Sequence, residues 1–228
     1  MLVFLLWNHR LASARGGQEV IAALYVATGG CYFGLPDVDP WGEERDARLY
    51  AGPWPIVAHP PCERWGRYWH GGPSVAVRKK KGDDSGCFLA ALTALRLWGG
   101  VLEHPEASAA WLEHGLMAPP RFGGWVNADF HGMWTCCVEQ GNYGHRARKA
   151  TWLLVNKADP PRLNWKPCEG EKARLADGYH SAAERARGKK SGVIERLSKR
   201  ERLSTPLQFR DILLDIARSV GYERRMGR

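Results

Sequence analysis

The sequence predicts an α/β protein in which a mainly parallel sheet carries helices on its faces. Short apolar segments of strand type alternate with longer segments whose apolar residues recur at helical spacing. Two strand segments, "IVAHPP" and "VLEHP", end on proline directly after an ionisable side chain. Because sites in such sheets gather at the carboxyl ends of strands, these two endings are the first candidates for chemistry.

The N-terminal part is predicted to open on a strand at residues 1–7. This run is apolar but too short to span a bilayer, and no basic region precedes it, so we expect neither a membrane span nor a signal peptide. A helix is expected around residues 18–27, followed by a turn rich in glycine. Residues 43–50 are predicted to form a short helix after two proline-marked turns.

The middle and end of the chain continue the alternation. A strand at 56–58 is followed by a helix at 86–98, which ends at two glycines, and by a strand at 101–105. A further helix at 107–116 and a strand at 150–155 precede a proline-rich linker. An amphipathic helix then begins after Thr205 and Pro206, a good N-cap and first-turn pair.

The positive charge is concentrated towards the C-terminus. The net charge is +9, and residues 166–228 hold 16 lysines and arginines against nine acids, whereas residues 1–165 hold 17 against 15. We therefore expect an α/β domain over 1–165 and a basic helical segment over 166–228. Such a segment is typical of proteins that bind polyanions, although a solvated helical face would have the same composition.

Cysteine spacing favours free thiols in a reducing cytoplasm, because the six cysteines form no CxxC pair and no regular framework. Cys62 follows two prolines, so it is either buried under a rigid turn or held out to react. The triplet at 104–106 has the His-x-Glu form of zinc deaminases. Since Cys168 has no second cysteine three residues later, no metal site is expected.

Three motifs in order resemble those of DNA cytosine-5 methyltransferases: "HPPC" at 59–62, "EHP" at 103–105 and "YGHRARKATWLL" at 143–154. The set is most similar to short phage- and prophage-encoded proteins of the DNA-methylase superfamily, and the likeness covers roughly residues 55–165. The resemblance implies a Rossmann-like methyltransferase sheet, a DNA partner and action in the cytoplasm of a bacterial host cell.

The resemblance also implies catalytic roles. The sulfur of Cys62 would add to C6 of a pyrimidine and so make C5 nucleophilic, while Glu103 would hydrogen-bond the ring at N3. His59 would orient the thiolate, or would be an ordinary turn histidine. Arg64 and Arg67 are close in sequence to Cys62, so we expect a positive potential that favours the thiolate.

Binding roles follow from the same likeness. The predicted donors to the base and the phosphates are Arg146, Arg148 and Lys149, and the predicted stacking faces for a flipped base are Trp65 and Tyr143. The predicted S-adenosylmethionine site comprises Gly29, Gly30, Asp37 and Asp39. The competing hypothesis is a DNA-binding protein that keeps this scaffold without catalysis.

Overall fold

The structure is a computed structural model, and it describes residues 20–70, 79–170, 173–175, 183, 186 and 197–225. The strand predicted at residues 1–7 lies outside these ranges. The described strands are β1 (Ile21–Leu24), β2 (Val38–Trp41), β3 (Ile56–Ala58), β4 (Gly100–Pro105), β5 (Val126–Asn127), β6 (Trp134–Glu139) and β7 (Ala150–Asn156). The helices are α1 (Cys87–Trp98), α2 (Ala109–Glu113), α3 (Lys199–Leu203) and α4 (Leu207–Arg225).

All seven strands form one mixed sheet in the order β2-β1-β3-β4-β7-β6-β5. The strands β2, β1, β3 and β4 are parallel, whereas β7, β6 and β5 are each antiparallel to their neighbours. The chain therefore leaves β1 on one side to form β2 and returns on the other side to form β3. In open parallel sheets a crevice opens at such a reversal, beyond the carboxyl ends of the two strands.

Both faces of the sheet are covered. Phe88 and Leu92 of α1 and Trp111 of α2 pack against one face, with Ala22 and Leu24 of β1 among their neighbours. On the other face, α4 supplies Phe209, Leu213, Leu214, Ile216, Ala217 and Val220. Ile21 and Ala23 of β1 belong to that second core, as the alternation of a strand requires. The predicted α/β class is therefore confirmed.

Two predicted helices are wrong. The region expected to be helical at 18–27 contains β1, a four-residue strand that is buried on both faces. The region at 43–50 contains only a 3-10 turn, Ala47–Leu49, which Asp46 caps by accepting a hydrogen bond from the Arg48 backbone N–H. The helices expected at 86–98 and after Pro206 are confirmed as α1 and α4.

Helix α4 is part of the main fold. Phe209 and Leu213 have no exposed surface, and they lie against β1, β3 and β4. The described part of 166–228 thus shares a hydrophobic core with 1–165, so the boundary predicted at 165 does not separate two cores.

Candidate functional site

The carboxyl edge of the sheet carries a chain of buried hydrogen bonds. His59 follows β3, and Glu103 lies in β4 one residue beyond the pair Ala58–Leu102. The Nδ1 atom of His59 lies 3.0 Å from Oε2 of Glu103, and its Nε2 atom lies 2.9 Å from the hydroxyl of Tyr32, in the turn after β1. The chain of hydrogen bonds therefore crosses the crevice between β1 and β3.

A second side chain holds the other oxygen of Glu103. Gln140 begins the 3-10 turn Gln140–Tyr143 between β6 and β7. Its Nε2 atom donates to Oε1 of Glu103 at 3.1 Å and to the hydroxyl of Thr151 at 2.9 Å. Because β7 is antiparallel to β4, the start of β7 and the turn before it lie at the same edge as the end of β4.

Glu103 is a carboxylate despite its burial, with 12% of its side chain exposed. Burial alone would raise its pKa, but the hydrogen bond and charge of His59 and the positive charge of Lys149 outweigh that effect. The pKa falls to about 2. An ionised carboxylate only accepts hydrogen bonds, so Nδ1 of His59 is the donor in their contact.

Cys62 belongs to a tight turn beside this network. Its carbonyl oxygen accepts hydrogen bonds from the backbone N–H groups of Trp65 and Gly66, at 3.0 and 2.9 Å. Burial and the negative charge of Glu103 raise the pKa of the Cys62 thiol to about 11, while Lys149 opposes the shift.

The expectation of a thiolate stabilised by Arg64 and Arg67 is therefore wrong. With a pKa of about 11, Cys62 is a neutral thiol at pH 7, since the burial of the sulfur and the negative charge of Glu103 outweigh the positive charge of Lys149. The Arg64 guanidinium is directed to the carbonyl oxygen of Trp69, at 3.5 Å.

His104 lies inside the fold, close to the turn that precedes Cys62. It is fully buried, its Nδ1 atom lies 2.7 Å from the hydroxyl of Ser108, and its ring packs between Phe88 and Trp111. Burial lowers the pKa of His104 to about 4, although the charge of Glu103 and the carbonyl groups of Pro61 and Pro60 favour the protonated ring. The carbonyls of the turn before Cys62 thus lie close to this histidine.

Lys149 influences the site through its charge. Its backbone adopts a left-handed conformation with φ +42°, immediately before β7. Its ammonium donates to the carbonyl oxygen of Ser204 at 2.8 Å. Burial lowers the pKa of Lys149, while the negative charge of Glu103 opposes that effect. The positive charge of Lys149 therefore acts on both the Cys62 thiol and the Glu103 carboxylate.

The other predicted binding residues are dispersed. Arg146 forms an ion pair with Glu201 of α3 at 2.5 Å, and Arg148 is exposed. The hydroxyl of Tyr143 accepts a hydrogen bond from the backbone N–H of Asn164 at 2.7 Å, and its ring packs on Phe209. These three residues lie on the segment between the site and α3 and α4.

Trp65 does not offer a stacking face. Only 4% of its surface is exposed, its ring packs against Phe88 and His114, and its indole N–H donates to Asp84 at 2.8 Å. The prediction that Trp65 stacks on a flipped base is therefore wrong. Its ring is packed in the core and has no face free for a ligand.

The residues predicted to hold S-adenosylmethionine do not come together. Gly29 and Gly30 form a turn after β1 at the carboxyl edge, and the space around Gly29 is open. Asp37 precedes β2, so it lies at the opposite edge of the sheet, where Arg218 binds its carboxylate at 2.7 Å. Asp39 accepts hydrogen bonds from Arg45 and from the Trp41 indole. The acidic pair does not fit the ribose of this cofactor.

Sequence reasoning missed Tyr32 and Gln140. Each is buried and polar and belongs to a turn, and only the order of the strands brings it to Glu103 and His59. The one available signal for Gln140 was its place just before the segment "YGHRARK", which the resemblance had already singled out. Within the described ranges, no three His, Cys, Asp or Glu side chains cluster closely enough to hold a metal ion.

Comparison with known proteins gives no relative. No protein-family model matches the chain, and neither a curated protein nor a solved structure matches it. None of the helices formed by the described residues is long and apolar enough to cross a membrane.

Proposed function

We propose that this protein is a DNA-modifying enzyme that acts on a pyrimidine base, most specifically a cytosine-5 methyltransferase-like protein with Cys62 as its nucleophile. The observation that carries the proposal is the placement of the Cys62 turn beside a carboxylate, Glu103, that His59 and Gln140 hold by one oxygen each. The proposed scaffold is a Rossmann-like methyltransferase sheet, supported by the parallel order β2-β1-β3-β4 and by the crevice between β1 and β3.

In the proposed reaction the sulfur of Cys62 bonds to C6 of the ring, and the electron pair of the C5–C6 double bond becomes available at C5. Because Cys62 begins as a thiol, its proton must leave as the bond forms. The pair His59–Glu103 can take up that proton and deliver one to N3 of the ring, where basicity rises as the adduct forms. The ring is then a neutral adduct that is nucleophilic at C5.

The donor of the new substituent at C5 is left open by the residues of this chain. S-adenosylmethionine is the donor that the resemblance suggests. Since Asp37 and Asp39 are engaged by arginines, no step is assigned to it. Calorimetric titration of the protein with S-adenosylmethionine tests this donor directly.

The proposed partner is DNA, in the cytoplasm of a bacterial host cell. The net charge of +9 supports a polyanionic partner, and the six free cysteines are consistent with a reducing compartment. Exposed Arg148 and half-exposed Arg146, beside the site on the segment that leads into β7, are the described cations best placed to meet a phosphate.

A second candidate function is DNA binding without catalysis. The observation that favours it is the suppressed ionisation of Cys62, since the thiolate is the form that attacks a base. The same surface charges would serve either function, so salt-sensitive binding alone does not separate the two.

A covalent trapping experiment separates them. The protein is incubated with a duplex in which 5-fluorocytosine replaces every cytosine of one strand, with and without S-adenosylmethionine, and adducts are resolved by denaturing electrophoresis. The enzyme hypothesis predicts an adduct that Cys62→Ser abolishes and that Cys87→Ser, at the start of α1, leaves unchanged. Binding without any adduct under either condition supports the non-catalytic alternative.

A further inference from the structure

We propose that Gln140 is a positioning residue for Glu103. Its amide fixes the rotation of the carboxylate, so that of the two described side chains that hold the Glu103 oxygens only His59 can exchange a proton with it. This inference rests on the proposed function. It names a residue that acts through Glu103 and that does not itself meet the reacting atoms.

The two oxygens of Glu103 are held by chemically unlike groups. Oε2 accepts from the imidazole of His59 at 3.0 Å, and Oε1 accepts from the amide of Gln140 at 3.1 Å. An imidazole gains and loses protons near neutral pH, whereas a side-chain amide does neither. A proton can therefore reach the carboxylate from the His59 side, while the Gln140 side acts only as a fixed donor.

The orientation of the Gln140 amide is set by its neighbours. Its Nε2 atom also donates to the hydroxyl of Thr151 at 2.9 Å, and that hydroxyl donates in turn to the carbonyl oxygen of Lys149 at 3.2 Å. A flipped amide would bring its carbonyl oxygen against the oxygen of an ionised carboxylate. The direction of the amide is therefore determined by Glu103, and Thr151 keeps it in place.

This arrangement leaves a buried polar atom unsatisfied. Gln140 is 1% exposed, and no described residue donates a hydrogen bond to its Oε1 atom. A buried acceptor without a partner is normally avoided because it is costly. A glutamine with only a structural role would be oriented so that both Nε2 and Oε1 form hydrogen bonds. Gln140 instead keeps the contact of Nε2 with Glu103 and leaves Oε1 without a donor among the described residues.

The substitution Gln140→Glu tests the proposal because it keeps the shape and replaces a permanent donor by a group that donates only when protonated. Two carboxylates in contact share one proton, so the apparent pKa of the Glu103 carboxyl should rise by at least about 2 pH units. The ionisable groups around Glu103 are otherwise unchanged, namely His59, His104, Lys149 and Cys62. Carbon-13 NMR of the carboxyl groups measures this rise without any DNA.

The matched control is Gln208→Glu, which makes the same change on an exposed position of α4. In the trapping assay, adduct formation by Gln140→Glu should fall at least about tenfold below the wild type at pH 8, the factor for one ordinary hydrogen bond. Its rate relative to the wild type at the same pH should recover in acid as the shared proton returns. Gln208→Glu should follow the wild-type profile. A structural defect in Gln140→Glu would lower activity at every pH and would give no recovery in acid.

An unchanged titration of Glu103 in Gln140→Glu, or a loss of activity without recovery in acid, overturns the proposal. Should Gln140→Glu fail to fold, Glu103→Gln provides the second measurement. Removing the charge should shift the side-chain amide signal of Gln140 while the signal of Gln208 stays in place, and an unmoved Gln140 signal overturns the proposal. If the wild type forms no adduct, the proposed function fails while the titration still decides the role of Gln140.

Discussion

Cys62 has surroundings that suppress the reactivity expected of a nucleophilic cysteine. The pKa of its thiol is about 11 because of burial and the charge of Glu103, and at neutral pH the thiolate fraction is about 100-fold below that of an ordinary thiol. A ligand that neutralised Glu103 or excluded water beside Lys149 would change that balance. We therefore expect the reactivity of Cys62 to change when a ligand fills the site.

We predict that iodoacetamide labels native Cys62 at least about tenfold more slowly at pH 7 than the same cysteine in urea, because only the thiolate reacts. The labelling rate should rise steadily as the pH approaches 11. Peptide mass spectrometry measures the rate for each cysteine, and Cys62→Ser identifies its peptide. Equal rates in the native protein and in urea at pH 7 would contradict the burial of this sulfur.

His104 gives the fold a specific sensitivity to acid. Its pKa is about 4 in the folded protein and 6.5 in an unstructured chain, so between these values the unfolded chain binds a proton that the folded protein does not. The contribution to stability is complete above pH 6.5 and is lost as the pH falls to about 4. The total loss is about 3 kcal/mol.

Denaturant titrations between pH 7 and pH 4 check this prediction. The variant His104→Gln should be less stable at pH 7, since it disturbs the core. The slope of its free energy of unfolding against pH should be smaller than that of the wild type by the equivalent of about one proton. His131→Gln, at an exposed position, should keep the wild-type slope. The same slope for all three proteins would be the result that excludes His104 as the acid-sensitive group.

At the level of residues, the sequence predicted half of the central network. His59 and Glu103 were found because each stands after a run of apolar strand residues and within two residues of a proline, and that local pattern places both at one edge. Tyr32 and Gln140 belong to turns without such a pattern. Their contacts depend on which strands become neighbours, and local spacing does not encode this.

Among the elements, α4 shows that part of the basic C-terminal segment belongs to the hydrophobic core. Leu213 is fully buried against the sheet, whereas Leu207, at the start of the same helix, is 60% exposed. Deleting residues 166–228 would uncover the second face of the sheet. A truncation therefore tests folding and does not isolate the contribution of the basic segment to DNA binding.

We predict that Leu213→Ala lowers the free energy of unfolding by about 2–5 kcal/mol, since it removes a buried side chain and leaves a cavity. The control Leu207→Ala makes the same change at the exposed position and should cost less than about 1 kcal/mol. Urea denaturation of the two variants measures both values. Comparable losses would show that α4 does not pack on the sheet in solution.

The mistaken helix at 18–27 shows why element type was not always predictable. The segment "VIAALYVA" contains good helix formers and no polar residue that would reveal a period. Its central strand, β1, lies between β2 and β3 and is buried on both faces, so no alternation appears. The assignment depends on the neighbouring strands, which are distant in sequence.

For the whole molecule, charge is the property that most directly predicts a measurable interaction. If about four to six of the 33 lysines and arginines neutralise phosphates, the logarithm of the DNA-binding constant should fall with the logarithm of salt concentration with a slope of about −4 to −5. Fluorescence anisotropy over a range of NaCl concentrations measures the slope. A flat salt dependence would leave the positive charge as a solvated surface.

We predict that Arg148→Gln reduces this slope by about one, because the exposed side chain lies on the segment beside the site. The control Arg45→Gln removes an equal charge from a guanidinium that Asp39 already binds at the edge strand β2, and its slope should stay at the wild-type value. Equal reductions by both variants would show that net charge alone determines DNA affinity.

The overall class of the fold was predictable, whereas its strand order was not. Alternating strand and helix segments gave the α/β class and the helices on both faces. The antiparallel position of β7 between β4 and β6 has no local signature in the sequence. It depends on which strands pair with each other, and the strands have similar compositions. The pairing of β7 with β4 brings Gln140 and Lys149 to the ends of β3 and β4.

The packing of α4 on β1 has a consequence for synthesis on the ribosome. Ile21 and Ala23 emerge early, but the helix residues that cover them, such as Leu213 and Val220, are translated almost 200 residues later. At elongation rates of about 5–20 residues per second, one face of the nascent sheet stays uncovered for about 10–40 s. During that interval the chain exposes an apolar surface that chaperones recognise, and native structure on that face forms only after translation of α4.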